Sequence, residues 1–168
     1  DPDADRVGVA VRHKGNYELL TGNEMGILLL DWICRKRSAR GENLEDKVVV
    51  TTIVSSAMAD ALAASYGFEL RRTLTGFKFI GEQIGLLESE GNADSFIFGF
   101  EESCGYLSGT HARDKDGVNA SVLICEMANE LLLEGKDLIE AMEALYNRYG
   151  YYQNRLITIA YTGAEGAS

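Results

Sequence analysis

The segment that most constrains how this chain folds is VVVTTIV, at residues 48–54. Its residues are almost all β-branched and it has almost no polar side, as expected of a strand that is covered on both faces. Two further strand patterns follow, an alternating one at 68–74 and an apolar one at 95–100, each separated from the last by a helical pattern. Strands that alternate with helices predict an α/β fold, here a three-layer domain whose mixed, largely parallel sheet is flanked by helices.

The remaining apolar patterns complete this architecture. Polar residues at 13–16 divide residues 7–20 into two apolar halves, which predicts a β-hairpin. Asp137 followed by Glu140 is a capping-box pattern and predicts the start of a helix. Five helices are predicted. The first begins near Thr21, the second begins at Ser55 or Ser56 and ends at Gly67, the third runs from Phe77 to near Gly91, and the last two cover 118–134 and 137–149. A last strand is predicted at 155–161.

The composition excludes two classes of partner. With 16 basic and 26 acidic residues the net charge is −10, so the chain lacks the basic face that nucleic acids require. The same charge disfavours an anionic membrane surface. We find no signal-peptide pattern and no apolar run of about 18 residues, so we expect a cytoplasmic protein that does not span a membrane. Cys34 and Cys125 lie in apolar helical patterns and are expected to be buried thiols.

The long polar segment at residues 98–117 is the first candidate for a functional site. A loop of this length inside a compact domain is usually functional or disordered, and the apolar Tyr106 and Leu107 argue against disorder. In α/β domains ligands gather at the carboxyl ends of the strands, where this segment begins. We therefore expect residues 98–117 to form a binding or catalytic loop.

Residues within this loop have the chemistry of a sugar or phosphate site. Glu101, Glu102 and Ser103 offer carboxylate oxygens and a hydroxyl, which suit the hydroxyl groups of a sugar. Ser103 does not fit a nucleophile elbow, because G-x-S-x-G requires glycine at position 101. Arg113 and Lys115 lie in the run RDKD, and a solvated surface explains that run equally well.

Thr75-Gly76-Phe77-Lys78 follows a predicted strand and opens a predicted helix. Gly76 lets a ligand approach the backbone, and a helix N-terminus with Lys78 beside it favours an anion. An ordinary strand-to-helix turn with a surface lysine explains the same residues.

Asp1, Asp3 and Asp5 alternate along the first residues of the chain, so in an extended segment their carboxylates can converge on a hard cation. Arg6, directly after them, suits a phosphate bound beside that cation. The alternative is an acidic segment without a metal.

Taken together, DPDADR, TGFKFIGE and GFEESCGY…RDKDG, in this order and at these separations, resemble the α-D-phosphohexomutases of the phosphoglucomutase/phosphomannomutase branch. The likeness covers nearly the whole chain. It implies that residues 1–6 are the metal-binding loop at the end of a preceding domain. It also implies that residues 7–168 are the third, sugar-binding domain of a four-domain enzyme.

The resemblance also implies roles for the acidic N-terminal residues and for the polar loop. Asp1, Asp3 and Asp5 match ligands of Mg²⁺, and Arg6 matches the arginine that faces the phosphoryl group. Lys115 matches a lysine proposed for acid/base work, with His111 shortly before it. The remaining residues are expected to bind the substrate: Glu101 and Ser103 at the sugar hydroxyls, Thr75 and Gly76 in the loop that distinguishes two sugar orientations, and Lys78 and Arg113.

The family reaction implied by this likeness interconverts hexose 1-phosphate and hexose 6-phosphate, with glucose or mannose as the sugar. It proceeds through a phosphoserine and a hexose 1,6-bisphosphate. The phosphoserine and a further phosphate-binding loop lie in family domains outside this chain, so the chain alone is expected to be inactive and to depend on the remaining domains of its parent. The alternative is a stand-alone module that binds sugar phosphates for regulation, without catalysis.

Overall fold

A computed structural model describes residues 1–155 and residue 157. The first part of the chain forms a β-hairpin and the rest forms alternating strands and helices. The elements are β1 (Val9–His13), β2 (Asn16–Leu20), α1 (Gly22–Ala39), β3 (Val48–Thr52), α2 (Met58–Tyr66), β4 (Glu69–Thr73), α3 (Phe77–Ser89), a short 3₁₀ turn (Ala93–Ser95), β5 (Phe96–Glu101), β6 (Gly105–Leu107), α4 (Gly117–Leu133) and α5 (Leu138–Tyr149).

The main sheet has four strands in the order β4-β3-β5-β6. β3 lies at its centre and pairs in parallel with both β4 and β5, whereas β6 runs antiparallel to β5. All five residues of β3 are buried, as its β-branched sequence predicts. The predicted α/β fold with a mixed, largely parallel sheet is therefore confirmed.

Two hydrophobic clusters, one on each side of the sheet, make the domain three layers thick. Helices α1, α2, α4 and α5 share one cluster with Val49, Phe98 and Phe100 of the sheet. Helix α3 covers the other side, where Ile80 and Ile84 pack with Val50. The alternation of Val49 and Val50 between the two clusters follows from the two-residue period of a strand.

A capping box in the sequence determines where the central helix α1 begins. Thr21 and Glu24 form a capping box, in which the Thr21 side chain accepts from the Glu24 amide and Glu24 accepts from the Thr21 amide. Gly26 then lies against the ring of Phe100, where an added Cβ would be 2.7 Å from Cε2. The helix therefore sits closer to β5 than a side chain at position 26 would allow.

The hairpin formed by β1 and β2 is held to the rest of the domain by a buried histidine. His13 Nδ1 lies 2.7 Å from Oδ2 of Asp137, the N-cap of α5, and the His13 side chain is only 5% exposed. Placing His13 in the turn between the strands was wrong, because it is the last residue of β1. Sequence pattern alone does not reveal a bond to a residue that is so distant in the chain.

Other expectations need correction at particular residues. Helix α2 begins at Met58 with Ala57 in the N-cap position, one residue after the predicted Ser56, although Ser56 Oγ accepts from the Met58 amide at 3.3 Å as a capping hydroxyl does. Cys34 is buried as expected, but Cys125 is exposed because it faces away from the sheet on α4. The predicted strand at 155–161 lies largely outside the described residues. Within the described part of the chain, no helix is both long and apolar enough to cross a membrane.

Candidate functional site

The parallel strands β3, β4 and β5 end at Thr52, Thr73 and Glu101, and their carboxyl ends therefore meet at one edge of the sheet. The segment 74–77 leaves this edge after β4, and the long polar segment leaves it after β5. The two substrate-binding segments predicted from sequence are thus neighbours in space, as the position of ligands in α/β domains suggests.

Glu101 joins these two segments directly. Its carboxylate Oε1 accepts a hydrogen bond of 2.8 Å from the backbone N–H of Gly76, and the side chain is buried. Gly76 has φ of +123°, a conformation that favours glycine, and is the N-cap of α3. A buried carboxylate at the start of α3 fixes the loop at Thr75 and Gly76, both of which are predicted to contact the sugar.

Ser103 lies at the tip of a tight turn that the sequence did not reveal. The expected long loop contains a short strand, β6, that pairs antiparallel with β5 so that Glu101 lies opposite Gly105. Residues 102–104 form the turn between them, with Cys104 at φ +66°. This turn exposes Ser103 to solvent while Glu101 is buried beside it.

The first residues of the chain pack onto this turn and onto the start of α4. Arg6 forms an isolated antiparallel bridge with Gly105, and the Val7 amide donates to the Cys104 carbonyl at 3.2 Å. The Gly117 amide donates to the carbonyl of Ala4 at 3.1 Å. The acidic N-terminal segment is therefore part of the same site as the 101–117 segment.

Lys115 lies where all three predicted motifs meet. Its Nζ is 3.1 Å from Asp5 Oδ2 and 2.8 Å from Asp114 Oδ1, and it lies 5.5 Å from the centroid of the Phe77 ring. Its stem passes Gly105, where an added Cβ would be 2.7 Å from Lys115 Cγ. Burial works to lower the pKa of Lys115, but the hydrogen bonds to Asp114 and Asp5 outweigh it and the pKa is raised.

His111 is held away from Lys115 by a different carboxylate. Its Nε2 lies 2.8 Å from Oδ2 of Asp116, the residue that caps α4 by accepting from the Asn119 amide. The bond from the Asn119 amide and the bond from His111 together lower the pKa of Asp116. The structure therefore places His111 at the start of α4, and its contacts do not include Lys115.

Arg113 and Lys78 lie at the margin of the site. Arg113 forms an ion pair with Glu88 near the end of α3 and donates to the carbonyls of Thr110 and Ala112. Lys78 is exposed in the first turn of α3, and its Nζ lies 4.8 Å from the centroid of the Phe79 ring. Within the described residues, neither side chain bonds to Glu101, Ser103 or Lys115.

The carboxylates predicted to bind a metal ion have suitable chemistry, but they do not converge on one point. Asp5 Oδ1 is buried without a hydrogen-bond partner, so it is an oxygen that a cation could satisfy. Asp1 instead makes a 2.7 Å ion pair with Arg6, and Asp3 is exposed. Among the residues that the structure describes, no group of three or more His, Cys, Asp or Glu side chains is arranged to hold a metal. Mg²⁺ would fit the donor set if Asp1 exchanged Arg6 for the cation.

Comparison with known proteins decides the family. The sequence profile described as phosphoglucomutase/phosphomannomutase, alpha/beta/alpha domain III, matches residues 21–149. The chain belongs to the phosphoglucomutase/phosphomannomutase family. The matched range lies within residues 7–168, which were predicted to be the third domain, and the exact limits of that domain and of the 1–6 segment stay a prediction.

Similar proteins of this family are several times longer than the chain. A glucose 1,6-bisphosphate synthase of Mus musculus is 39% identical over 158 residues, which are 92% of this chain and 25% of that protein. A phosphoglucomutase of Staphylococcus aureus (strain MSSA476) is 39% identical over 167 residues, 99% of this chain and 29% of that protein. A crystal structure assigned as a phosphomannomutase from Thermus thermophilus has a TM-score of 0.68 at 27% identity, over 89% of this chain and 30% of that one.

Sequence reasoning missed several groups that shape this phosphoglucomutase/phosphomannomutase domain at its site. Glu102 was grouped with its neighbours as a general acceptor, yet its carboxylate is bound by Thr52 and Ser55 of the segment after β3. Phe77 was predicted only as the start of a helix, although its ring faces the ammonium group of Lys115. The position of Thr52 and Ser55 after a buried strand was the available signal for the first of these contacts.

Proposed function

We propose that this chain contributes the sugar-binding wall and the metal loop of a phosphohexomutase. The parent enzyme would interconvert hexose 1-phosphate and hexose 6-phosphate, with glucose or mannose as the sugar. The observation that carries the proposal is the convergence on Lys115 of three separate motifs, through Asp5, Phe77 and Gly105. A lysine without a functional role is not expected to contact all three motifs.

In this proposal Glu101 and Ser103 hold the hydroxyl groups of the hexose. Ser103 is exposed on the turn, so its hydroxyl is free to bond to a ligand. Glu101 keeps Oε1 on the Gly76 amide, which leaves Oε2 for the sugar. Thr75 and Gly76 would then approach the same ring from the α3 side, in either orientation of the substrate.

Lys115 and Arg6 would serve the phosphoryl group. A lysine between two carboxylates stays protonated at neutral pH, so Lys115 in this arrangement supplies a proton or a positive charge rather than accepting a proton. Arg6 would exchange its ion pair with Asp1 for the phosphate oxygens. His111 is bonded to Asp116 at the start of α4, and it would take part in proton transfer from that side of the loop. Arg113 and Lys78 would contribute longer-range positive charge at the margin.

The metal and the phosphoryl donor complete this proposal. Asp1, Asp3 and Asp5 would hold Mg²⁺, which supplies positive charge that neutralises the oxygens of the transferring phosphoryl group. The donor would be a phosphoserine from another domain of the parent chain, and hexose 1,6-bisphosphate would serve as intermediate and activator. Because those domains are needed for the transfer, the isolated chain would bind substrate weakly, would not turn it over, and would act in the cytoplasm as part of its parent.

The test is an assay of the isolated chain together with a binding measurement. With glucose 1-phosphate, Mg²⁺ and glucose 1,6-bisphosphate, no glucose 6-phosphate should form, and clear turnover would contradict the assignment to an incomplete site. Saturation-transfer NMR should detect glucose 1-phosphate on the chain. Loss of the Ser103 hydroxyl in Ser103→Ala should weaken that binding about fivefold, as expected for one hydrogen bond of about 1 kcal/mol. Ser89→Ala, at the far end of α3, serves as the matched control.

A further inference from the structure

Glu102 is the middle residue of the Glu101-Glu102-Ser103 segment and is the only one of the three without a role in the proposed function. Its carboxylate does not face the Gly76 amide. Oε2 lies 3.1 Å from Thr52 Oγ1 and 3.4 Å from Ser55 Oγ, at the carboxyl end of β3. Thr52 and Ser55 are both buried, so their hydroxyl groups must find partners within the protein.

The number of hydroxyl hydrogens limits which group donates in each of these contacts. Thr52 Oγ1 and Ser55 Oγ are also 2.8 Å from each other, so three close contacts share two hydroxyl hydrogens. The shorter contact to Glu102 comes from Thr52. The arrangement that uses this shorter contact has Ser55 donating to Thr52 and Thr52 donating to Glu102. The carboxylate is thereby held by a two-hydroxyl chain that starts on the loop after β3.

That loop is itself held rigidly. Arg72 of β4 donates from Nη1 to the carbonyls of Thr52 and Ser55, at 2.8 and 3.3 Å. Its Nη2 donates to the Ser56 carbonyl at 3.2 Å and pairs with Asp60 at 2.7 Å. The hydroxyls that reach Glu102 therefore project from a segment whose backbone is tied to the neighbouring strand.

The backbone of Glu102 is confined on its other side by α1. A Cβ on Gly22 would be 2.7 Å from the Glu102 carbonyl carbon and 2.6 Å from the Cys104 amide nitrogen. The next residue but one, Cys104, is in the left-handed region at φ +66°. A turn packed this tightly, with one residue in a strained conformation, needs an anchor to stay in a single geometry.

We propose that Glu102 is the positioning residue for this turn, fastened by Thr52 and Ser55, so that Glu101 and Ser103 on either side of it face the hexose at a fixed separation. Glu102 itself does not touch the substrate. This inference rests on the proposed function for its ligand, but it makes a separate statement about the ligand-free protein. The turn should be ordered because of the carboxylate–hydroxyl chain.

The experiment compares Thr52→Val with Thr73→Val in the full chain. Both changes remove a hydroxyl and keep the shape of the side chain, and the two residues are partners across β3 and β4. The Thr73 hydroxyl lies near the carbonyls of Thr51 and Leu74 and does not contact Glu102. Glu102→Gln, which keeps an oxygen acceptor, and Glu102→Ala, which does not, complete the set.

The first readout is amide hydrogen exchange without ligand. Exchange at Val7, whose amide donates to the Cys104 carbonyl of this turn, should be about 5- to 10-fold faster in Thr52→Val and Glu102→Ala than in wild type, corresponding to loss of about one hydrogen bond. Thr73→Val and Glu102→Gln should stay within about threefold of wild type. Exchange in α5 reports global stability and corrects for any general loosening.

The second readout is the dissociation constant of glucose 1-phosphate from NMR titration. Thr52→Val and Glu102→Ala should bind about 5- to 10-fold more weakly, and Glu102→Gln should recover most of the affinity. Equal exchange at Val7 in Thr52→Val and Thr73→Val would overturn the positioning role. If wild type fails to bind glucose 1-phosphate, the proposed function fails, while the exchange comparison still decides whether Glu102 orders the turn.

Discussion

Lys115 Nζ lies 3.1 Å from Asp5 Oδ2, and this contact joins the acidic N-terminal segment to the loop that follows β6. The two residues are far apart in the chain, and the backbone bond from Gly117 to Ala4 brings their segments together. The ammonium group lowers the pKa of Asp5, chiefly through its hydrogen bond. Asp5 therefore stays ionised at neutral pH, in the state that both an ion pair and a metal ligand require.

We predict that Gly105→Ala will displace Lys115 from Asp5. A Cβ at this position would lie 2.7 Å from Lys115 Cγ, and the flexible lysine stem would have to move. The amide signals of Asp5 and Asp114 should shift in ¹H–¹⁵N spectra, and the signals of α5 should not. Spectra in which Asp5 and Asp114 keep their wild-type shifts would contradict the packing described here.

We predict opposite effects for two glycine-to-alanine changes in helices. Gly26→Ala should destabilise the domain by about 1–3 kcal/mol, since its Cβ would overlap the Phe100 ring. Gly85→Ala in α3 should stabilise it by up to about 1 kcal/mol, because nothing lies within 4 Å of its Cβ and alanine favours the helix. Urea unfolding of both variants checks this, and equal effects would show that the α1–β5 contact is looser than these distances indicate.

We predict a pH-dependent contribution from Asp137. Burial alone would raise its pKa, but bonds from the Glu140 amide and from His13 outweigh burial and lower it. A lowered folded-state pKa means that the carboxylate stabilises the fold above its ordinary pKa of 3.8 and loses this effect as the pH falls through the folded-state value. Asp137→Asn keeps a capping side chain but loses the charge.

The variant should therefore be less stable than wild type by about 1–2 kcal/mol near pH 6, with the gap closing as the pH falls below 3.8 and through the lowered folded-state pKa. Thermal unfolding at both pH values measures the gap. Asp46→Asn, at an exposed loop position, is the control and should show little difference at either pH. A gap that persists unchanged at low pH would show that the charge of Asp137 is not its source.

We predict that Mg²⁺ perturbs residues 1–6 and Lys115 selectively. A cation on Asp5 Oδ1 satisfies a buried oxygen that has no hydrogen-bond partner and only a 3.7 Å ion pair with Arg6, and it competes with the contacts of Asp1 and Asp5 to Arg6 and Lys115. Titration with MgCl₂ should shift the amides of Asp5 and Arg6 before others, and Asp5→Asn should weaken this response at least about fivefold. A response of equal size in Asp5→Asn would place the cation elsewhere.

Much of the fold could be predicted because local pattern and tertiary environment agree. The β-branched run of β3 is buried on both faces, and the capping pattern of Asp137 and Glu140 starts α5 where expected. Strand β6 was not predictable in this way. It has three residues, and its existence depends on pairing with β5 and on the bridge from Arg6 to Gly105 rather than on its own sequence.

The motifs of the site could be predicted from the sequence, but the contacts between their side chains could not. The positions of strand ends placed Gly76 near Glu101, since parallel strands bring their carboxyl ends together. Which partner each charged group takes depends on side-chain geometry. Arg113 pairs with Glu88 of α3, and His111 pairs with Asp116, although both looked alike in sequence as neighbours of Lys115.

The central claim is that the segments at 75–78, 101–103 and 115 form one wall of a hexose phosphate site. The most direct test is a titration of ¹⁵N-labelled chain with glucose 1-phosphate, with inorganic phosphate and with glucose as separate controls. We expect saturable shifts at Gly76, Glu101, Ser103 and Lys115, larger with glucose 1-phosphate than with either control. Shifts that are absent, or that fall mainly on residues outside these segments, would contradict it.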